Sequence, residues 1–457
     1  MSLQAALVSD LLQPAYERLR GRVTPRLERE LDASQWWPAA RLADLQWREM
    51  LRLLEHARAS VPFYRDWFSE HQAEPADLAA KRDLSPLPVI TRSQLMAAPE
   101  RFRAAPAPAG SYMKATGGSS GRPLRFWLDA RSDQWRLAMS RRGYAWAGCR
   151  PGERQVYLWS SDFTRPGRLA LVKRGLHRLL QGQVYIDSFH LGPAELDHAL
   201  RVISRFRPRV LVAFTSAALI LARWAVKRRW SPPGSLASVI TGAEGVSGPG
   251  RELLERVFAC PVFETYGSRE FMLTAAQCPA RAGLHVSSEN LFLEIVQKDG
   301  RPALPGQTGR VLVTDLHNYA QPFIRYQNDD LAAWAGGPCA CGRGLPLLER
   351  IDGRILDVLR TPDGREVTGA MFPHLLKDFA AISAFQAVQD RLDHLELRLV
   401  LSGPLDEPER RRLLAAVGGA LPGVAIDIVP VRELTRTASG KIRVTMGLAG
   451  LGPEAAA

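Results

Sequence analysis

The run VLVAFTSAALILARWAVKRRWSPPGSLASVITGAE, residues 210–244, decides the fold. Val210–Phe214 is a short, wholly apolar run. Ser216–Trp230 carries apolar residues at helical spacing. Ser238–Thr241 is apolar again and ends in Gly242-Ala243-Glu244. Continuous apolar runs of this length read as buried strands, and their alternation with helices predicts parallel neighbours. Working outward, Gln155–Trp159, Val184–Ile186, Val262–Tyr266 and Gly309–Thr314 read as further strands, and Ala194–Phe206 as a helix. The fold class expected is α/β with partly parallel sheets. In such sheets ligands bind at the carboxyl ends of strands. Gly242-Ala243-Glu244 and Gly267-Ser268-Arg269-Glu270 both take that position.

The flanks read differently. Residues 1–105 are mostly helical in pattern; Trp47, Leu51, Leu53, Leu54, Ala57 and Val61 mark an amphipathic stretch ending at Pro62. Leu87-Pro88-Val89-Ile90-Thr91 reads as a turn, with Thr91 placed to cap the next helix. Beyond about residue 353 the pattern becomes a small α+β unit: strands over Phe385–Gln389, Leu395–Leu401 and Ala425–Val431, and a helix over Glu407–Ala416. The division expected is a large N-terminal domain, 1–353, with a helical region 1–105 and an α/β core 106–353. A small C-terminal domain, 354–457, follows.

Composition narrows the classes. Hydrophobic content of 46% and charged content of 23% suit a soluble globular chain. No apolar run reaches the roughly 18–20 residues that span a bilayer, and Met1 to Asp10 has no signal-peptide pattern, so a cytoplasmic location is expected. Lysine occurs only seven times, so 53 of the 60 cations behind the net charge of +13 are arginine. They are scattered rather than striped, which argues against a nucleic-acid partner. Lys227-Arg228-Arg229 and Arg410-Arg411-Arg412 read as solvated helix faces.

Four local motifs carry chemistry, each with a plainer alternative. Thr116-Gly117-Gly118-Ser119-Ser120-Gly121-Arg122-Pro123 offers amides and hydroxyls as a nest for phosphate oxygens, or it is an ordinary loop. It is not a Walker A sequence. Glu270, just past a strand, suits a magnesium ion on nucleotide phosphates, or pairs with Arg269 at the surface. Asp330, after a strand, can accept from ribose hydroxyls, or is an acidic turn. Lys441, in Thr437-Ala438-Ser439-Gly440-Lys441, can meet a developing negative charge, or is a solvated loop lysine. Separately, Cys278, His285, Cys339 and Cys341 supply the donors of a structural Cys₃His zinc site. The alternative is three free cysteines and an unrelated histidine. Cys149 and Cys260 read as packing residues.

The ordered set – Gly-rich loop, Gly-Ala-Glu, Tyr-Gly-x-x-Glu, late Asp, Gly-Arg junction, terminal Ser-Gly-Lys – resembles the adenylate-forming superfamily that includes acyl-CoA synthetases. The nearer likeness is to phenylacetate-CoA ligases and their CapK-like relatives from capsule-polysaccharide clusters. His56-Ala57 through Val61-Pro62-Phe63-Tyr64, and Leu87 to Thr91, are similar to signatures of that branch. The likeness runs from about residue 45 to 445.

The resemblance implies an acid–thiol ligase using ATP and Mg²⁺. A small carboxylic acid, aryl or related, becomes an acyl-adenylate with release of pyrophosphate, and a thiol then displaces AMP. CoA is the implied acceptor; the rivals are loading of an acyl carrier protein's phosphopantetheine and a nucleotide-binding homologue without turnover. By this likeness Thr116, Gly117, Gly118, Ser119, Ser120 and Gly121 hold phosphates. Gly242, Ala243, Glu244, Tyr266, Gly267, Ser268 and Arg269 border the nucleotide, and Glu270 holds magnesium. Asp330 and Arg354 approach the ribose. Lys441, on a small C-terminal domain that is mobile in the family, bridges acid and α-phosphate. Trp159–Phe163, Phe214–Ala218 and Gly242–Gly245 are the positions that line the acid pocket. Relatives are often homodimers. The chain departs from the pattern at Arg122 (usually Lys), Arg269 (usually Thr), Asp329 (usually Gly) and Leu356 (usually a hinge Asp or Lys).

Overall fold

The computed structural model describes residues 3–116, 124–159, 181–188, 191–354, 358–363, 366–368, 371–376, 379, 381–435 and 443–448. Two compact units are present. One comprises Met1–Thr116, Leu124–Asn328 and Ala333–Arg350; the other includes Asp329–Ala332 and the chain from Ile351 on.

The first unit is organised by its strands: β1 (Tyr112–Ala115), β2 (Arg125–Leu128), β3 (Gln155–Trp159), β4 (Gln183–Asp187), β5 (Val210–Phe214), β6 (Ser238–Gly242), β7 (Val262–Tyr266), β8 (Ala275–Gln277), β9 (Leu284–Val286), β10 (Leu291–Val296), β11 (Gly309–Asp315), β12 (Tyr326–Trp334) and β13 (Leu347–Arg354). β1 and β2 form a separate antiparallel pair, and the other eleven run in the order β10-β11-β12-β13-β9-β8-β7-β6-β5-β3-β4. From β4 through β7 the neighbours are parallel. From β7 on, through β8 and β9 to β13, they are antiparallel, as are β10 and β11.

The all-apolar runs explain the parallel half. Every residue of β5 and β6 is buried. Helices Pro193–Phe206 and Thr215–Lys227 seal that half with Leu196, Leu200, Ile203, Ala218, Leu221 and Ala225. Full burial on both faces is what a parallel sheet demands. A second core gathers Met50, Leu53, Leu54 and Ala57 of helix Ala39–Ser60 with Tyr64, Phe68, Leu316 and Ile324.

Inside the first unit two buried ion pairs tie helix Ala130–Trp146 to the chain around the sheet. Arg136 donates to Asp315 at 2.7 Å with both side chains fully buried, and Arg142 meets Glu289 at 2.6 Å. Losing one partner of such a pair strands a charge and costs about 3–5 kcal/mol.

The second unit holds a four-stranded sheet in the order β16 (Ala425–Pro430), β15 (His394–Leu401), β14 (Ile382–Arg391) and β17 (Thr445–Met446). Helix Glu407–Ala420 packs Leu413 and Val417 onto Leu395, Leu397 and Leu399. Asp406 caps it, accepting from the Glu409 amide at 2.7 Å. No helix among the described residues is long and apolar enough to cross a membrane.

Candidate functional site: a nucleotide-side group and a Cys₃His cluster

Strands β5, β6 and β7 end together, with Phe214 level with Gly242 and Thr241 level with Glu264. The loops leaving them carry the residues the sequence singled out. Gly242 is crowded: a side chain there would meet Thr265 Oγ1 at 2.8 Å and the Trp159 ring at 3.4 Å. Trp159 stacks on Phe214 with ring centroids 4.0 Å apart. Ala243 takes a left-handed φ of 69°, a strained setting for a residue with a Cβ. Glu244 is engaged locally: its carboxylate accepts from the Ser216 amide at 2.9 Å, and its carbonyl from Thr215 Oγ1 at 2.7 Å. It therefore anchors the first turn of helix Thr215–Lys227.

Gly267 admits nothing larger, since a Cβ would lie 1.8 Å from the Met272 carbonyl oxygen. The tight turn that follows is closed by Met272 N donating to Ser268 O at 2.7 Å. Ser268 Oγ also accepts from Phe271 N at 3.3 Å. Tyr266 is buried and its hydroxyl accepts from Asn328 Nδ2 at 2.6 Å. The turn leaves Glu270 buried at 8% exposure and Arg269 exposed, its Nε donating to Ala115 O at 3.2 Å.

A residue the motif reading missed joins these parts. Arg92 opens helix Arg92–Ala97, directly after the Thr91 cap. The expected cap is a full capping box with Gln94. Ile90 bonds in parallel fashion to the chain at Tyr326, fixing where the helix starts. Arg92 then reaches Glu270 at 3.8 Å and donates to Thr116 Oγ1 at 3.3 Å. Thr116 is doubly tied to Leu124: its amide donates to the Leu124 carbonyl, and its Oγ1 accepts from the Leu124 amide, both at 2.9 Å. Lys114, two residues earlier, is half-buried. Burial pushes its ammonium down to about 8, helped by Arg136 and Arg269 and opposed by Asp133 and Glu270.

Asp330 was expected after a strand and instead lies within β12, buried. Asp329 beside it has φ 63°, the conformation glycine adopts freely. That is a physical reason for a glycine at this position in the family pattern. Asp330 groups with the second unit, not with Glu270. Arg354 closes β13. Gly117, Gly118, Ser119, Ser120, Gly121, Arg122, Phe163, Leu356 and Lys441 lie outside the described residues.

The donor atoms of Cys278, His285, Cys339 and Cys341 all lie within 4.8 Å of one another. Cys278 Sγ is 3.6 Å from Cys339 Sγ, and Cys341 Sγ is 3.2 Å from His285 Nε2. Residues 61 apart in sequence thus meet beneath the β8–β9 hairpin. His285 is buried, and burial pushes its ring down to about 4, keeping it neutral. Its Nδ1 faces the Leu345 carbonyl at 3.4 Å, which leaves Nε2 as the donor to a metal. Burial works to raise the Cys341 thiol, but the Arg343 amide and the neighbouring thiols hold it below the usual range. A tight neutral imidazole and three sulfurs fit tetrahedral zinc.

Gln35, far upstream, is the peg for this loop. Its Oε1 accepts from Trp146 Nε1 at 2.9 Å and from Arg343 Nε at 2.8 Å. Its carbonyl accepts from Gly344 N at 3.1 Å. Gly344 sits so close to Trp37 that a Cβ would lie 1.9 Å from the Trp37 carbonyl oxygen.

Comparison with known proteins bears on the relatedness and the fold of the chain. A family model described as the CapK C-terminal domain matches residues 359–447. Phenylacetate-coenzyme A ligase of Escherichia coli (strain K12) is 26% identical over 339 residues, 72% of this chain and 75% of that protein. Protein CapK of Staphylococcus aureus is 21% identical over 294 residues, 64% of each. Among solved structures, 2-hydroxyisobutyryl-CoA ligase in the postadenylation state superposes with a TM-score of 0.71 at 19% identity, covering 92% of this chain and 94% of that one. An anthranilate CoA ligase in complex with anthranoyl-AMP gives 0.51 at 17% identity, over 72% and 65%. In sequence, then, the chain is related to the phenylacetate-CoA ligases and CapK, and its α/β architecture is that of the adenylate-forming CoA ligases.

Proposed function

We propose that the protein is an ATP- and Mg²⁺-dependent acid–thiol ligase acting on an aryl or related carboxylic acid, with CoA as acceptor. The observation that carries this reading is the joining of Thr116 and Glu270 by Arg92 beside the carboxyl ends of β5, β6 and β7. A loop neck and a buried carboxylate at that edge are what a polyphosphate with its metal requires.

In the first step a carboxylate oxygen attacks the α-phosphorus. The bond to the bridging oxygen breaks and pyrophosphate leaves with the electron pair. In the second, the thiolate attacks the acyl carbon, AMP departs, and the thiol proton passes to solvent. Glu270 would hold the magnesium, which supplies charge neutralisation on the phosphates when bound. Gly242, packed against Thr265 and Trp159, and Gly267, packed against the Met272 carbonyl, would set the tight turns that border the nucleotide. Asp330 and Arg354 are assigned the ribose, and Lys441 the acid and α-phosphate. No side-chain nucleophile is needed; positioning and electrostatics supply the rate. The stacked Trp159 and Phe214 support an apolar wall for the acid.

The Cys₃His cluster is assigned one structural zinc, which would clip the β8–β9 hairpin to the 339–341 loop without entering the chemistry. Metal analysis should find about one zinc per chain; a stable, metal-free, active protein would refute it.

The test of the main reading is acid-dependent pyrophosphate release across aryl, short-chain and hydroxy acids, followed by thioester formation with CoA or a phosphopantetheinylated carrier protein. Lys441→Ala should abolish release. If no acid stimulates release, or Lys441→Ala is as fast as wild type, the reading fails. Transfer to the carrier alone would move the acceptor from CoA to protein.

A further inference from the structure

Three cations surround the single carboxylate of Glu270. Arg92 reaches it at 3.8 Å. Arg269 is the next residue in the chain, its Nε donating to the Ala115 carbonyl oxygen. Lys114 lies on β1, close enough for its ammonium to feel both Arg269 and Glu270. Among the described residues Lys114 makes no hydrogen bond or ion pair.

The strand fixes where Lys114 points. Side chains two apart on a strand share a face, so Lys114 and Thr116 lie on the same side. Across the hairpin Lys114 is level with Phe126, which is fully buried. The ammonium is therefore turned inward, toward the loop neck, and not out to bulk water. The other carboxylate near it, Asp133, already accepts from the Tyr112 hydroxyl at 2.8 Å. Arg136, the remaining cation nearby, is committed to Asp315.

A half-buried ammonium without a partner is unfavourable unless an anion completes it. The anion must be one that several cations can share, since Arg92 and Arg269 lie near the same carboxylate as Lys114. It must also lie next to both Thr116 and Glu270.

Resting on the ATP-dependent reading above, we propose that Lys114, together with Arg92 and Arg269, binds the β- and γ-phosphates of ATP and holds the pyrophosphate after adenylation. Lysine acts there as a compact point charge with three donors, as phosphate-binding lysines do. Arg269, where a threonine is usual, adds charge to the same end of the site. The consequence is a ligase that binds pyrophosphate tightly as a product and runs its first step readily in reverse.

Two measurements test this. In the wild-type protein, an acetylating amine reagent read by mass spectrometry should label Lys114 about fivefold more slowly with Mg-pyrophosphate present, while Lys227 and Lys298 stay unchanged; an ion of this kind shields the amine it binds. By titration calorimetry, Lys114→Met should bind Mg-pyrophosphate about 10–100-fold more weakly, and Lys114→Arg should recover most of that loss. The KM for ATP should rise with that for the acid within twofold. Melting of Lys114→Met should be no lower than wild type, since an unpaired cation has been removed. Wild-type binding of MgATP with Lys114 unprotected, or unchanged pyrophosphate affinity in Lys114→Met, overturns the role of Lys114 alone. A wild-type chain that binds neither MgATP nor pyrophosphate refutes the ATP-dependent reading itself. Should Lys114→Met fail to fold, the labelling result on the wild-type chain decides.

Discussion

Around Glu270 the side chains are charged and out of balance, and the backbone carries left-handed residues at Ala243 and Met272. Around Cys278 three sulfurs and a neutral imidazole face one another; the Leu345 carbonyl backs His285, the Arg343 amide backs Cys341, and Gln35 holds Arg343 in turn. Both groups lie in the first unit. The contrast separates a place made to receive something transient from one made to hold something permanently. Excess charge and stored strain suit a ligand that comes and goes. Matched donors with a supporting layer suit a metal that stays.

The contrast breaks most visibly at the metal. Cys339→Ser should lose the zinc and cost more than about 4 kcal/mol of stability, because the binding free energy of a structural zinc is folding free energy. Thermal unfolding with parallel metal analysis would show it. Any loss of turnover should track the loss of folded protein.

Glu270→Gln tests the other side. It keeps the shape and removes the charge, so adenylation should fall by roughly 10²–10³, equivalent to about 3–4 kcal/mol in the barrier, with the melting temperature and zinc content unchanged. A drop in stability comparable to that of Cys339→Ser would erase the distinction between the two groups.

How far these two places were readable in advance differs for a physical reason. Val210–Phe214 matches its strand residue for residue, because a parallel strand buried on both faces leaves an unbroken apolar run; Val262–Tyr266 matches as well, although Glu264 and Thr265 interrupt it and are only half-buried. Strands β8 and β9 left no such run, being three residues each, and β13 is crossed by Glu349, Arg350, Asp352 and Gly353. Gly267 was legible as a glycine at a strand end; that it excludes any Cβ needed the Met272 carbonyl. Arg92 follows a capping threonine like many surface arginines, and only the fold brings it to Thr116 and Glu270. Gln35 lies 308 residues from its partner Arg343, a separation no local pattern records. The polar run Gln327-Asn328-Asp329-Asp330 looks like the chain beyond a strand end, whereas β12 continues through it.

A smaller effect probes the strain itself. Ala243→Gly should raise stability by about 0.5–1 kcal/mol, the left-handed penalty less the added freedom of the unfolded chain. Denaturant unfolding would measure the gain. The same exchange should slow adenylation, if the strained turn positions the nucleotide. A neutral result on both counts would mean that strain plays no part in the contrast.

The smallest effect lies in the second unit and serves as a control. Hydrogen bonds donated to Asp390 and then to Asp427 raise the His394 imidazole above its ordinary range. A raised histidine contributes stability that is fully present below its unfolded value of 6.5 and is lost as pH rises through the folded one. The Asp390 and Asp427 carboxylates that meet it are exposed, so His394→Gln should cost at most a few tenths of a kcal/mol at pH 5.5 and nothing by pH 9. Calorimetry at the two pH values would detect it, with zinc content and adenylation unaffected.

Gln35 has a practical consequence for anyone shortening this chain. A version beginning at residue 40 would keep Cys278, His285, Cys339 and Cys341 and all of helix Ala39–Ser60 except its first residue. It would lack the side chain that receives both Trp146 and Arg343, and the carbonyl that receives Gly344. The four ligands would survive on paper while the clamp behind them was gone. Such a trimmed protein should surrender its metal to a mild chelator that leaves the intact chain untouched.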